Sequence, residues 1–478
     1  MQSTHSNIGT NYKALFTLVT VFFFWGFVAA SNDILIPVFK KAFTLTQGQS
    51  QLVSLAFYIA YTVGSLIYMG ISLLMGQDII NKLGYKNSLA LGLTISAMGT
   101  LLFYPAANNQ SFELMLTGLF IVALGFSLQQ TVANPLAISL GPTRTGSQRL
   151  TLAGGVNNFG TSIGPLVVSF AIFGAGNAND STMSIESVKI PYLILGLAFL
   201  LVAIMLKLSS LPDRPDVVID SKQEEIADRG SALKYPQLVL GMIAIFVYVG
   251  VEVSTASNLP AYMEKYLGFQ TKEIAPYISL YWASLMIGRW AGAVEVLSDN
   301  AKYQNMLKVL MPYLAFVLFL LVNAIAGHTL APFYMYALVV LVLIAADFLS
   351  RGNPWRMLFI FSVLGMVGIA LGMWGEGMLS VYAFTSVGLF CSTLWPCIFA
   401  LAISGLGKNT SQGSSLLIMM IMGGGIVSWL QGYVADQTNI QMSYWVGICC
   451  FVYLAFYALK VKDILRKQGI TFDEKTVL

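Results

Sequence analysis

Long apolar runs separated by short polar breaks follow one another along almost the whole chain. A run of about 20 apolar residues has the length of a helix that crosses the hydrocarbon core of a bilayer. Strands of a membrane barrel would instead alternate apolar and polar residues over about 10 positions. The pattern therefore predicts an all-α polytopic membrane protein.

Six apolar runs come before the longest charged stretch of the chain, and eight come after it. The first six lie near residues 14–39, 51–75, 87–104, 113–140, 150–173 and 190–208. The later eight lie near residues 237–263, 274–297, 304–326, 331–349, 355–374, 379–405, 413–434 and 441–460. We expect about 14 transmembrane helices, because even the short run at 331–349 has no internal break.

The charged stretch at 211–236, with Pro212, Asp213, Arg214 and Pro215, predicts a linker between two helical bundles. We expect five segments: a cytoplasmic N-terminal tail at 1–13, a six-helix bundle at 14–210, a cytoplasmic linker at 211–236, a second bundle at 237–461 and a cytoplasmic C-terminal tail at 462–478. This outline resembles the major facilitator fold, in which two bundles rock about a site near the membrane midplane.

The composition agrees with a membrane protein and argues against several functions. Of the 478 residues, 56% are hydrophobic and 10% charged, and the mean hydropathy is +0.73, whereas a soluble domain carries about 25% charged residues. The four cysteines lie in apolar runs without metal-type spacing, which indicates packing residues. Without a nucleophile–base pairing or a phosphate loop, we expect no enzyme, no cofactor and no metal. The net charge of +4 suggests no nucleic-acid partner.

The basic residues are distributed unevenly between the two sides of the predicted membrane. With a cytoplasmic N-terminus, 21 of the 26 Lys and Arg lie on the cytoplasmic side or in cytoplasmic helix halves. The external loops hold Lys40, Lys41, Lys189, Lys265 and Lys272. The positive-inside rule therefore favours an even number of helices in each half, although it does not separate twelve from fourteen. We expect a monomer in a bacterial inner membrane, with both termini in the cytoplasm.

Two carboxylates lie inside apolar runs, Asp33 in the first and Glu252 in the seventh. An ionised carboxylate at the centre of a membrane helix costs about 2.5–3.5 kcal/mol on insertion scales. We interpret both residues first as functional, either as a proton or ion site or as a substrate contact. The alternative is a structural carboxylate that is hydrogen-bonded to polar neighbours.

Several strings resemble the fucose–proton symporter family of sugar transporters. They are Phe-Trp-Gly-Phe at 24–27 with Asn-Asp-Ile-Leu at 32–35, Thr-Val-Ala-Asn-Pro at 131–135 with Leu-Gly-Pro at 140–142, Asn-Asn-Phe-Gly at 157–160, and Gly-Ser-Ser at 413–415 with Met-Gly-Gly-Gly-Ile at 422–426 and Gly432. They occur in both halves and in the family's order. The resemblance thus indicates the family more strongly than the substrate.

The resemblance implies that Asp33 is a proton carrier, because it matches the carboxylate of the family's first helix. A low-dielectric surrounding favours the neutral form of a carboxylate, which agrees with this role. Gln130 stands where the fucose symporter carries Glu. Conversely, Glu252 follows Tyr248-Val249-Gly250 in a string that resembles the glucose/galactose branch. We infer that the second carboxylate has moved to the other bundle.

A sugar site needs a few directed hydrogen-bonding groups and aromatic faces in an otherwise apolar pocket. The polar candidates are all amides inside apolar runs, and their alternative role is to bond helices to one another. They are Asn32, Gln129, Gln130, Asn134, Asn157, Asn158 and Asn258. The candidate aromatic platforms are Tyr281, Trp282 and Trp395, for which helix packing is the alternative.

Two basic strings predict gates on the cytoplasmic side. Lys82 and Lys86 lie in the loop after the second run, and Arg289 lies at the equivalent place in the second bundle. We expect ion pairs with Asp78, Glu295 or Asp299. Prolines inside the runs, at positions 135, 165, 260 and 396, are expected to free backbone carbonyls toward the cavity.

The resemblance also locates the two surplus helices, because the family's eighth helix ends near Leu297 and its ninth begins near Asn353. Residues 304–349 are therefore predicted to be an inserted two-helix hairpin. We expect it to pack peripherally, because it has few polar residues besides Asn323, His328 at the turn and Asp347 near the inner end.

The sequence thus predicts a secondary active transporter that imports a monosaccharide, such as glucose, galactose, fucose or an amino sugar, with protons. The coupling ion is H⁺ in this interpretation and Na⁺ in the nearest alternative. A proton-coupled exporter of another small solute is a further alternative. A receptor or a channel belongs to another functional class and would not accumulate a solute against its gradient. The expected partners are the sugar and membrane lipid.

Overall fold

A computed structural model describes residues 10–43, 47–142, 145–173, 188–213, 230–269, 271–297, 300–325 and 327–472. Within these ranges, the side chains of 29–42, 47–55, 163, 165–173, 271–273, 275 and 301 are not described. The side chains of Asn32 and Asp33, most of the predicted linker and the outer parts of both predicted tails therefore lie outside the described residues.

The first half of the described chain forms eight α-helices. They are α1 (Tyr12–Ala42), α2 (Gln47–Leu74), α3 (Ile79–Leu83), α4 (Tyr85–Leu101), α5 (Phe103–Asn108), α6 (Phe112–Ser139), α7 (Gly146–Phe173) and α8 (Lys189–Leu208). The short helices α3 and α5 flank α4, so six long helical segments fill the region predicted to hold six.

The second half forms twelve α-helices, several of which continue one another after a short break. They are α9 (Pro236–Leu267), α10 (Thr271–Gly292), α11 (Val294–Leu297), α12 (Ala301–Ile325), α13 (Tyr336–Ser350), α14 (Pro354–Trp374), α15 (Met378–Cys391), α16 (Leu394–Ile403), α17 (Thr410–Met419), α18 (Gly423–Gln437), α19 (Ile440–Ser443) and α20 (Trp445–Lys467). Helix α20 extends six residues into the segment 462–478 that was predicted to be a tail.

Local sequence signals set several of these boundaries. Ser111 caps α6, because its side chain accepts a hydrogen bond from the backbone N–H of Leu114 at 3.2 Å. Asn353 caps α14 in the same way, and Pro354 occupies the first helical position, where no N–H is needed. Gly268 ends α9 in the left-handed conformation, with φ of 68°.

Eleven helices in the described part are long and apolar enough to cross a membrane. Each coincides with one predicted run, so the prediction of an all-helical membrane protein is confirmed. The count of about fourteen is not confirmed, because α1, α7 and α10 are not among the eleven. Large apolar side chains on the outside, such as Leu74 at 90% exposure and Leu208 at 83%, form a surface suited to lipid.

The two halves pack their helices in the same pattern. In the first half, α1 packs against α7, α4 against α6 and α8, and α2 against α6. In the second half, the counterparts are α9 with α18, α14 with α15 and α20, and α10 with α15. Helices α12 and α13 have no counterpart among the described helices of the first half, and they pack on α10, α14 and α15.

Close packing of α1 on α7 depends on glycine. A Cβ on Gly26 would collide with the backbone carbonyl of Asn157, and a Cβ on Gly164 with that of Phe27. Small residues let membrane helices approach closely, so these positions fix α7 against the helix that carries Asp33.

The two bundles meet on the side where α8 ends and α9 begins, which we call the linker side. Here the Tyr12 hydroxyl donates to the carbonyl of Val296 at 2.5 Å. The hydroxyls of Tyr85 and Ser411 lie 3.2 Å apart. Helices α10 and α11 pack on α7, and α17 packs on α2 and α6. The described contacts therefore close the molecule on the linker side.

Candidate functional site

Glu252 lies halfway along α9 and is partly buried. The Tyr281 hydroxyl donates to its backbone carbonyl at 2.8 Å, which joins α10 to α9. Tyr248 lies one helical turn before Glu252 on the same face of α9, and the ring centroids of Tyr248 and Trp395 are 6.2 Å apart. The structure thus brings three predicted site residues, Glu252, Tyr281 and Trp395, together in the second bundle.

Arg289 binds backbone carbonyls and an amide rather than a carboxylate. Its Nε donates to the carbonyl of Ser392 at 3.0 Å. That carbonyl is free because Pro396, four residues later, has no N–H to donate to it. The Nη1 atom of Arg289 donates to the carbonyl of Gly154 at 3.2 Å and to Oδ1 of Asn158. Arg289 therefore joins the two bundles, since Gly154 and Asn158 lie on α7.

Glu252 and Arg289 lie on the neighbouring helices α9 and α10, and opposite charges in a membrane interior attract each other. Among the described residues, the site therefore contains one acid, one permanent cation and several hydroxyl and amide groups. Protonation of the acid would cancel its attraction to the guanidinium while the neutral groups stay unchanged.

Two of the three carboxylates predicted to pair with the gate residues, Asp78 and Glu295, have other partners in the structure. Asp78 caps α3 through Ile80 N at 2.9 Å and accepts from the Tyr68 hydroxyl at 2.6 Å. Glu295 pairs with Lys308 at 3.0 Å. Asp299 lies outside the described residues. Asp78 is therefore engaged in capping a helix. Glu295 is engaged with Lys308, which the sequence did not identify as its partner.

Within the part of the chain that the structure describes, neither predicted gate lysine forms an ion pair with Asp78 or Glu295. Lys86 donates to the backbone carbonyl of Ser209 at 2.8 Å, which ties the start of α4 to the end of α8. Lys82 is exposed in the last turn of α3. The contact of Lys86 lies within the first bundle, so it does not bridge the two bundles as the contacts of Arg289 do.

Gln129 is fully buried in a chain of neutral hydrogen bonds. The Trp25 indole Nε1 donates to Gln129 Oε1 at 2.7 Å, and Gln129 Nε2 donates to Ser96 Oγ at 3.0 Å. This chain connects α1, α6 and α4. Gln129 thus bonds helices to one another, which was the alternative to sugar binding for the predicted amides.

Gln130 and Asn134 are better placed to meet a ligand. Gln130 is partly exposed, and its Nε2 donates to the Tyr61 hydroxyl at 3.0 Å. The Nδ2 of Asn134 is buried and has no hydrogen-bond partner among the described residues. Pro135 frees the carbonyl of Thr131, which accepts from Ser414 of the second bundle at 2.8 Å. Tyr61 escaped the sequence analysis because a tyrosine in an apolar run carries no distinguishing signal.

The remaining predicted contacts are distributed over four helices, α1, α7, α9 and α10. Asn157 donates to the carbonyl of Phe22 at 2.9 Å, and Asn258 donates to that of Ser254 in its own helix at 2.8 Å. Trp282 is 40% exposed and stands perpendicular to Tyr281. For Asn32 and Asp33, the structure gives only their position on α1, in its half away from the linker side.

Two cavities among the described residues lie away from these groups. One, of about 280 Å³, lies on the linker side and is lined by Trp355, Lys462 and Arg466 among others. The other, of about 310 Å³, is an apolar crevice between α7, α10 and α12. No group of three His, Cys, Asp or Glu suited to a metal is found in the described part of the chain.

Comparison with known proteins places the chain among membrane transporters. Residues 15–346 match the model of the Major Facilitator Superfamily. The chain is 34% identical over 465 residues to a glucose/galactose transporter of Brucella abortus, covering 95% of this chain and 96% of the relative. It is 30% identical over 461 residues to an L-fucose–proton symporter of Escherichia coli, covering 92% and 91%.

A solved structure agrees with this assignment. The crystal structure of the Major Facilitator Superfamily transporter FucP in the outward conformation has a TM-score of 0.70 and 27% sequence identity, covering 96% of this chain and 99% of that one. Together with the paired bundles, these similarities identify the chain as a member of the Major Facilitator Superfamily, in the branch of the glucose/galactose transporters and L-fucose–proton symporters.

Proposed function

We propose that the protein is a secondary active transporter that imports a monosaccharide together with protons. The observation that carries the proposal is the similarity over more than nine-tenths of the chain to relatives named as glucose/galactose transporter and L-fucose–proton symporter. Those relatives are transporters rather than enzymes. The described site supports it, because tyrosine and tryptophan side chains lie near Glu252 in the second bundle and Arg289 binds Asn158 of the first.

The proposed substrate is a hexose such as glucose, galactose or fucose, or an amino sugar. Gln130, Asn134 and the Tyr248 hydroxyl would bind sugar hydroxyls, since the last two have unpaired buried atoms among the described residues. Trp282 and Trp395 would cover the C–H face of the ring. Asn32, Asn157, Asn158 and Asn258 remain candidates, whereas Gln129 is occupied by its own helix contacts.

Proton coupling is proposed to involve Asp33 and Glu252, one in each bundle. An ionised Glu252 attracts Arg289, which at the same time binds Asn158 and Gly154 of the first bundle. Protonation of Glu252 would release this attraction and let Arg289 shift its contacts between the bundles. Asp33 would carry the proton on α1, the helix packed most closely on α7. The coupling ion is H⁺, and no cofactor is involved.

The proposed arrangement in the membrane follows the fold. Helices α1, α7 and α10 would cross the bilayer together with the eleven apolar helices, which gives fourteen spans, of which α12 and α13 form the inserted hairpin at 304–349. The linker and both termini would face the cytoplasm of a bacterium. The closed linker side then corresponds to a carrier whose site is shut toward the cytoplasm. We propose a monomer surrounded by lipid.

The test is a panel of radiolabelled monosaccharides offered to cells that lack their own hexose carriers. Uptake is measured at two pH values, with sodium present and absent, and with cells that carry the empty vector as the control. We expect accumulation of one or a few hexoses that increases at the lower external pH and does not need sodium. Accumulation that needs sodium would establish the sodium-coupled alternative. Efflux without uptake would establish an exporter and contradict the proposal.

A further inference from the structure

The hairpin of α12 and α13 carries two buried charges. Lys308 on α12 is 6% exposed and Asp347 on α13 is 2% exposed. The Nζ atom of Lys308 lies 3.0 Å from Oδ2 of Asp347. Many large side chains of the hairpin are apolar and exposed, for example Leu310 and Leu314, whereas others, such as Phe316 and Phe319, are buried. The pair therefore lies on the buried face of the hairpin, opposite an apolar outer face.

The same lysine reaches out of the hairpin to the second bundle. Its Nζ atom lies 3.0 Å from Oε1 of Glu295 on α11. One lysine thus bridges two carboxylates, one from the hairpin and one from the linker-side end of the second bundle. Sequence reasoning named Glu295 and Asp347 separately and overlooked Lys308, because the three residues become neighbours only when the hairpin folds back.

Glu295 in turn contacts the first bundle. Nε2 of Gln148, at the start of α7, donates to Oε2 of Glu295 at 3.2 Å and to the carbonyl of Gly352 at 2.7 Å. Gly352 follows α13 and has φ of +68°, and a Cβ there would collide with the Glu295 carboxylate. The chain of contacts therefore runs from the hairpin, through the second bundle, to the first.

The energetics favour a fixed geometry for this cluster. A buried charge is stable only when it is paired and hydrogen-bonded, so Glu295 needs Lys308 to remain ionised where Gln148 can reach it. Helix α12 also shares the apolar crevice of about 310 Å³ with α7 and α10, through Met311. The hairpin thus borders the seam between the bundles at two places.

We propose that the hairpin is part of the linker-side gate, in which Lys308 and Asp347 are positioning residues that hold Glu295 against Gln148 of the first bundle. In alternating access these contacts must form and break in every cycle, so the hairpin would set how long the carrier stays closed on the linker side. The proposal concerns gate closure and holds for any solute carried.

The test measures gate opening directly, without transport. Thr151 on α7 is 2% exposed at the seam, facing Gly292 of α10, and is replaced by cysteine as a reporter. Cys449, the exposed native cysteine, is changed to serine. The purified protein in nanodiscs is labelled with a maleimide reagent. The labelling rate of the same protein without the reporter cysteine is measured separately and subtracted.

The main variant is Lys308→Met combined with Asp347→Asn, which removes the cation without changing the formal net charge of the three residues. We expect labelling to become about tenfold faster, because an unpaired Glu295 leaves its buried position. Lys308→Arg keeps the charge and should label as slowly as the parent. Lys302→Met, an exposed lysine on the same helix, is the matched control and should change nothing.

A second variant keeps the test decisive if the double variant fails to fold, which gel filtration and thermal unfolding would show. Gln148→Leu removes the first-bundle end of the chain of contacts and leaves the buried charges paired. It should also speed labelling. An unchanged labelling rate in folded Gln148→Leu, or in the folded double variant, would overturn the proposal. The proposal would also be overturned if Lys302→Met were labelled as fast as the double variant.

Discussion

The two bundles share one pattern of helix packing but differ in the polar groups at their centres. In the first bundle the described candidates are neutral, and Gln129 joins Trp25 and Ser96 in a buried chain of amide, indole and hydroxyl groups. In the second bundle, α9 carries a carboxylate, Glu252, and the neighbouring α10 carries a guanidinium, Arg289. The described polar groups are therefore neutral in the first bundle and charged in the second.

This difference suggests a division of roles. Neutral hydrogen bonds keep their strength when a proton arrives, so they are suited to holding helices and sugar hydroxyls. An acid beside a fixed cation responds to a proton by losing its attraction. We infer that the second bundle converts protonation into movement, whereas the first supplies Asp33 and a stiff surface for Arg289 to bind.

The largest expected effect is that of Asp33→Asn, which removes the only carboxylate assigned to the first bundle's site. We expect accumulation driven by a pH gradient to be abolished, because an amide cannot carry the proton, while exchange of internal for external sugar continues. Both are measured in proteoliposomes with the preferred sugar. Wild-type accumulation in this variant would show that Asp33 has no part in coupling.

Arg289→Leu should be the next most damaging change. It removes charge-assisted hydrogen bonds to both bundles, each of which contributes about 1.5–3 kcal/mol, so uptake should fall by at least about tenfold. Arg289→Lys should restore only part of it, since an ammonium cannot reproduce the planar set of contacts. Initial uptake rates at equal surface expression measure this. Arg466→Ala, an exposed arginine on α20, is the control, and full activity of Arg289→Leu would contradict the account.

Glu252→Gln is expected to have an intermediate effect. The fold should remain, because Tyr281 binds the backbone carbonyl of Glu252 and not its side chain. Sugar affinity should fall by about tenfold, the equivalent of about 1.4 kcal/mol, or uptake should lose its pH dependence. Calorimetry and uptake distinguish the two results. Glu264→Gln, exposed on the same helix, should behave like the wild type.

The smallest effects are expected for substitutions of the neighbouring Gln129 and Gln130. One substitution should lower stability and the other should lower sugar affinity. Gln129→Leu leaves the buried Trp25 N–H and Ser96 hydroxyl without partners, at a cost of about 1–3 kcal/mol, so the unfolding temperature should drop with little change in sugar affinity. Gln130→Leu should do the reverse, because Gln130 is partly exposed and bonds a tyrosine hydroxyl. Thermal unfolding and calorimetry on both variants check this. Equal losses of stability would remove the distinction between a helix-bonding and a ligand-binding amide.

Helix positions could be predicted from the sequence because the bilayer fixes their length. The run predicted at 113–140 became α6, Phe112–Ser139, with Ser111 as its cap. The run at 379–405 divided into α15 and α16, because Ser392 and Thr393 do not continue the helix and Arg289 takes the carbonyl freed by Pro396. Such breaks depend on a partner from another helix, which hydropathy does not reveal.

Residue type could be predicted more readily than residue partners. Glu252, Tyr281 and Trp395 were expected at the site and do lie near one another. Arg289 was expected at a gate, but its partners proved to be carbonyls and Asn158, because the choice depends on which helix faces it. Lys308 was overlooked for the same reason, since its partner Asp347 is 39 positions away in the sequence.

The central claim is that sugar and protons enter together, and it can be tested on the unmodified protein. Purified protein is reconstituted in lightly buffered proteoliposomes without sodium, and the external pH is followed as the preferred sugar is added. We predict a sugar-induced rise in external pH that a protonophore abolishes and that Asp33→Asn does not show. Sugar uptake without any pH change, or uptake that begins only when sodium is added, would contradict the account.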